Sequence, residues 1–186
     1  MGRTRTFCLF LTIVVAGWIA ALAGTPGGDI VGTWRYDKPC IDARGTTFIG
    51  KLGKPIAKKK LAKKLNKAFK KIKLDKRWES FTLSDDGTWE IVVARQPLRG
   101  TFTYDPELEI LTLRPRHLPL PIKSHTWRKG DRLCVAFDAD RLLAVLNLLG
   151  GLTRSDKLKD LETLVDNFDN VHMGFEFKHV DTGPEL

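Results

Sequence analysis

The sequence predicts a mainly β fold: an eight-stranded antiparallel barrel with a basic helical insertion after the first strand and two helices before the last. Three observations carry this expectation. Gly32-Thr33-Trp34 heads a strand-like run over residues 30–36, and from residue 80 onward apolar residues alternate at period two in short segments separated by turn residues. Two other regions switch to the spacing of three and four that marks one face of a helix. Strands joined by short turns are antiparallel, and a meander leaves two aggregation-prone edges unless its last strand pairs with its first.

Taken in order, the chain begins with Arg3 and Arg5 and then an uncharged run that exits on Ala21-Leu22-Ala23, small residues of the kind a signal peptidase reads. Residues 1–23 are therefore expected to be a signal peptide, cleaved before Gly24, with export to the periplasm or the extracellular space. The run is shorter than the roughly 20 residues a membrane span needs, so the mature protein is not expected to be integral to the membrane. Residues 24–29 read as a flexible lead-in, residues 30–180 as one barrel domain and residues 181–186 as a tail. Removing the leader leaves about 160 residues, enough for one well-cored domain.

The first strand should run through Trp34 and Tyr36 and stop at Pro39, followed by a polar connection over residues 42–55. Leu61, Leu65, Phe69 and Ile72 then recur at helical spacing. Strands are expected over residues 80–83 and 88–94, around the hairpin signal Asp85-Asp86-Gly87. Further strands follow at 100–104 and 109–114 and then, after a Pro-rich passage over 115–121, at 124–128 and 132–137 around Lys129-Gly130-Asp131. Asp138 or Asp140 can start a helix over 141–149, and Gly150-Gly151 can end it. Ser155 can cap a second helix reaching Phe168. Met173, Phe175 and Phe177 alternate in a closing strand over 172–179, which should pair, through residues 173–177, with the first strand over residues 30–36.

Charge is concentrated. The whole chain carries a formal +9, yet residues 51–77 hold twelve lysines and Arg77 against Asp75 alone, so the rest of the mature domain is acidic on balance. The high isoelectric point belongs to one segment, and export argues against a nucleic-acid partner. Within that segment Lys59, Lys63, Lys67 and Lys71 repeat every four residues; such like-charge pairs cost about 0.2 to 0.5 kcal/mol each. Burying Leu61, Leu65, Phe69 and Ile72 returns roughly 1.5 to 3 kcal/mol each. The helix should therefore dock its apolar stripe on the barrel and turn its lysines outward.

From residue 30 to residue 180 the chain resembles a lipocalin-like family of unknown function found in exported proteins of Gram-negative bacteria. The pieces that carry the resemblance are Gly32-Thr33-Trp34 with Tyr36 and Cys40, Phe81-Thr82-Leu83 with Asp86-Gly87-Thr88, and Gly100-Thr101-Phe102-Thr103-Tyr104. Further on come Phe137-Asp138-Ala139-Asp140-Arg141-Leu142-Leu143 and Met173-Gly174-Phe175-Glu176. The resemblance implies the barrel with helices after the first strand and before the last; it implies no catalytic residues. The Lys-rich insertion departs from the family pattern, so no role is carried over to it.

Candidate sites follow from these placements. Gly32 and Trp34 are expected to close one end of the barrel, an indole covering the end while glycine permits close backbone approach. Trp89, Phe102, Trp127 and Phe137 are expected to line the interior, which the chain's own side chains can either leave hollow or fill. Cys40 and Cys134 can form a disulfide after export or remain as buried thiols. Asp138, Asp140, Asp156 and Asp160 fall where helix starts favour acids, and His117, His125, His172 and His179 lack ligand spacing, so no metal site is expected. No Gly-x-Ser-x-Gly elbow or other catalytic signature is present, and neither a cofactor nor catalysis is expected. Two functions from different classes remain: a binding domain for a small apolar or amphipathic ligand, or an envelope protein contacting anionic lipid, glycan or an acidic protein through Lys59, Lys60, Lys63, Lys64, Lys67 and Lys71. The oligomeric state is not legible.

Overall fold

A computed structural model describes residues 28–42, 54–150 and 171–181. The expected signal peptide, most of the expected lead-in, the helix expected over 155–168 and most of the expected tail lie outside these residues. Eight antiparallel strands close a barrel in sequential order, β1 (Gly32–Asp42), β2 (Trp78–Leu83), β3 (Thr88–Val93), β4 (Gln96–Asp105), β5 (Ile110–Pro115), β6 (Ile122–Lys129), β7 (Arg132–Phe137) and β8 (His172–His179). Helices α1 (Lys54–Lys71) and α2 (Leu74–Arg77) join β1 to β2, and α3 (Ala139–Gly150) follows β7. β8 pairs with β1, which closes the meander into a barrel.

The two ends of the barrel differ. Trp34 lies at the end where the connections are short: residues 84–87, 106–109 and 130–131. At the β2–β3 turn the Asp86 carboxylate accepts hydrogen bonds from the Thr88 backbone N–H at 2.9 Å and the Thr88 hydroxyl at 2.6 Å, and Gly87 takes φ +77°. The opposite end carries α1, α2, α3 and the six-residue passage 116–121. We call it the helical end.

β1 departs from the expected boundaries in an instructive way. It hydrogen-bonds β2 only from Gly32 to Trp34, while its pairing with β8 runs from Trp34 to Asp42 with a bulge between Tyr36 and Lys38. The strand does not stop at Pro39, which pairs with Phe175. Beyond Trp34 one side of β1 has no strand partner, so a residue without an N–H is tolerated there. The expected pairing of the last strand with the first is present, but because β1 is longer than expected, residues 173–177 lie opposite residues 36–41 and share only Tyr36 with the expected range 30–36.

Where β1 and β2 part, the helices fill the wedge. Leu61 and Leu65 of α1 are fully buried, as are Phe69 and Ile72 to within a few per cent. The Phe69 ring meets Tyr36 edge-on at 6.4 Å and stacks on Phe175 at 5.4 Å, while Tyr36 stacks on Trp78 of β2 at 6.1 Å. Burial and the nearby Asp75 and Asp37 carboxylates hold the Tyr36 hydroxyl well above the ordinary phenol range, so it stays protonated. Lys58, Lys59, Lys60, Lys63, Lys64, Lys67, Lys70 and Lys71 are exposed on the outer side of α1. The docking energetics read from the sequence thus match the observed face.

Candidate functional site

The barrel interior is nearly full. Inward residues of β2, β3, β5, β7 and β8 meet the buried face of α3, leaving a cavity of about 30 Å³ among Trp78, Phe81, Trp89, Phe137, Val145 and Phe175 with their neighbours. That is close to the share of one water molecule in the liquid. Phe175 is the hub of the filling, with Trp78 at 4.8 Å, Phe69 at 5.4 Å and Phe137 at 6.1 Å between ring centroids. Trp78 brings an indole N–H that finds no acceptor among the described residues. On β6 the interior is polar: the Ser124 hydroxyl donates to the Leu111 carbonyl at 3.3 Å and lies 3.0 Å from the Thr126 hydroxyl.

Outside this cavity, at the helical end, lies a groove of about 370 Å³ between α3 and the passage 116–121. Proline at 119 and 121 fixes φ at two positions of that turn-and-bend passage, and it presents Leu118 and Leu120 at 41% and 74% exposure. Ala144, Val145 and Leu148 of α3 form the facing wall, with Arg141 at the rim. Ile122, Val145 and Leu148 line both the groove and the interior cavity, so one layer of side chains separates them. The first turn of α3 is held by Asp138, whose carboxylate pairs with Arg141 at 2.9 Å and with His172 Nε2 at 2.8 Å. His125 lies 4.2 Å from His172, ring to ring.

The residues expected to line the interior separate into three groups. Trp89 and Phe137 line the cavity, and Trp89 donates its indole N–H to the Thr101 carbonyl at 3.0 Å. Phe102 is buried but does not reach the cavity. Trp127 is a correction: it pairs with Cys134 and lines a groove on the outer face, because the inward positions of β6 are Ile122, Ser124 and Thr126. Choosing the aromatic residue as the core residue assigned this strand the wrong parity. Trp34 is fully buried, donates its indole N–H to the Ile30 carbonyl at 3.0 Å, and lies under the Arg128 guanidinium. Gly32 takes φ +141°, and a Cβ there would stand 2.7 Å from His179 Nε2. Cys40 and Cys134 are free thiols. The groove walls Leu118, Leu120 and Leu148 were missed, although a Leu-Pro-Leu-Pro passage beside an apolar helix was the available signal.

No group of three or more His, Cys, Asp or Glu among the described residues is placed to hold a metal ion, and none of the described helices is long and apolar enough to cross a membrane. A family model described as a lipocalin-like domain (DUF4923) matches residues 15–179. The chain belongs to this family. A solved structure of a DUF4847 family protein from Bacteroides vulgatus ATCC 8482 is similar to this DUF4923 domain at 11% identity and a TM-score of 0.40, covering 82% of this chain and 94% of that one. No curated protein matches the chain. The DUF4923 domain is therefore a lipocalin-like barrel whose functional reading rests on its own geometry.

Proposed function

We propose that the protein is an exported, non-enzymatic binding domain that takes a small apolar or amphipathic ligand at the helical end of the barrel. The observation that carries this reading is the apolar groove of about 370 Å³ separated from the interior only by Ile122, Val145 and Leu148. Its size falls within the range of small-molecule sites, roughly 300 to 1,000 Å³. The residual interior space is too small for such a ligand, so the first seat is the groove, and deeper entry requires α3 to swing away from Phe137 and Phe175. Arg141 at the rim suits a ligand whose polar or anionic end stays at the surface.

The test is a titration of the mature chain with an environment-sensitive fatty-acid probe, with tryptophan fluorescence as the second readout. Saturable binding at micromolar probe, little changed between 0.1 and 1 M salt, is expected. Ala144→Trp, which fills the groove from an exposed position, should weaken binding at least tenfold while leaving the far-UV spectrum unchanged. Absence of saturable binding to the unaltered protein overturns the reading.

A second reading is favoured by a separate observation, the eight exposed lysines on the outer side of α1. Each lysine near an anionic surface adds about 1 kcal/mol of attraction, so α1 would hold the protein against anionic lipid or glycan of the envelope. Binding of that kind weakens steeply with salt, which separates it from ligand capture.

A further inference from the structure

On the outer face, where β7, β8 and β1 meet and α1 leans over them, there is a groove of about 430 Å³ that no ligand reading above uses. Both Cys40 and Cys134 line it, with Lys58, Lys129 and Arg132 around them. Cys40 lies opposite Gly174 of β8 and Cys134 lies opposite Glu176 of the same strand. The two thiols therefore stand on either side of β8, two residues apart along it.

Two strands separated by a third are ordinarily about 9.5 Å apart, beyond the roughly 7 Å between Cα atoms that a disulfide can bridge. Here the sheet is bent more sharply, and β1 and β7 approach within 8 Å between Cα atoms across β8. Gly174 makes this possible. A Cβ at that position would stand 2.0 Å from the Val135 carbonyl oxygen and 3.0 Å from the Ala136 Cα, so no side chain stands between the cysteines.

The polar contacts form a chain. The neighbouring Cys134 thiol and burial together favour the protonated form of the Cys40 thiol. Cys134 Sγ donates in turn to Glu176 Oε2 at 3.8 Å, while Lys38 and Arg132 hold the other Glu176 oxygen at 3.1 and 2.6 Å. Cys40 is 4% exposed, whereas Cys134 is only partly covered. An incoming reagent meets Cys134 first.

We propose that Cys40 and Cys134 are a dithiol–disulfide pair that exchanges with an external small disulfide, Cys134 entering first and Cys40 closing the bond. The Cys134 thiol loses its proton to Glu176 or to water, and its thiolate attacks one sulfur of the donor disulfide. The donor's S–S bond breaks, one donor thiolate leaves and is protonated, and a mixed disulfide remains on Cys134. Cys40 then gives up its proton and attacks Cys134 Sγ, releasing the second donor thiol. Two protein thiols are oxidised and one donor disulfide is reduced to two thiols. The cations around the groove favour an anionic donor of the glutathione class.

The experiment uses the full chain with Cys8→Ser, so that only the pair can react, held folded in oxidised glutathione and followed by intact mass and free-thiol count. Both thiols should disappear together with the loss of two hydrogens, and dithiothreitol should restore them. Cys40→Ser should instead accumulate one glutathione on Cys134, while Cys134→Ser should stay unmodified in the folded state. Because the bond would close roughly 100 residues of chain, the oxidised protein's unfolding constant should fall about a thousandfold. Persistence of both thiols in the folded protein, or a stable glutathione adduct on the pair that never closes, overturns the proposal.

Discussion

The two ends of the barrel solve opposite problems. At the Trp34 end Ile30 and Trp34 are fully buried, His179 packs edge-on against the indole at 4.9 Å, and Arg128 covers the ring while donating to the Asp29 carbonyl at 2.6 Å. The indole N–H is satisfied there and the turns are short. At the helical end the Trp78 N–H has no acceptor among the described residues, and Leu120 stands 74% exposed. There, α3 closes the interior with a single layer that also walls a groove. A sealed end contributes stability, whereas an end with apolar surface left open is where binding can be built.

This contrast can be broken from either side. Trp34→Ala should have the largest effect, a loss of about 3 to 5 kcal/mol of unfolding free energy in urea, while the fraction still folded binds the fatty-acid probe as before. Lost probe affinity in that folded fraction would mean the ends are coupled. Leu61→Asp attacks the wedge at the other end and should cost about 3 kcal/mol or more, since it places a carboxylate on a fully buried position of α1.

Smaller changes sharpen the comparison. The β3–β4 turn at the helical end places Ala94 and Arg95 at φ +51° and +64°, a conformation that Asn-Gly adopts with far less strain. Replacing the pair by Asn-Gly should stabilise the fold by about 1 kcal/mol, read as a higher urea midpoint. Lys63→Glu with Lys67→Glu should leave stability within about 0.5 kcal/mol, because both side chains face water. The same double change should reduce sedimentation with anionic vesicles at low salt; unchanged sedimentation would remove the support for an electrostatic surface on α1.

Much of the molecule was legible because local chemistry is enough to specify it. The Asp86-Gly87 hairpin, the alternation of Leu133, Val135 and Phe137, and the stripe of Leu61, Leu65, Phe69 and Ile72 each contain their own reason: a residue suited to positive φ, a period of two, a period near 3.6. Barrel closure followed from the cost of bare edges. What the sequence left open depended on partners far along the chain. Pro39 stays in β1 only because that strand has lost β2 as a neighbour, and Trp127 faces outward because β5 pairs Leu111 with Ser124 and Leu113 with Ile122. The Ala94-Arg95 turn was invisible because neither residue prefers the conformation that its flanking strands impose. His125 of β6 met His172 of β8 across β7, and Cys40 of β1 met Cys134 of β7 across β8. Local preferences therefore determined the elements and the closed barrel, while strand register, which one-residue slips would invert, decided which side chains share a cavity, a groove or a hydrogen bond.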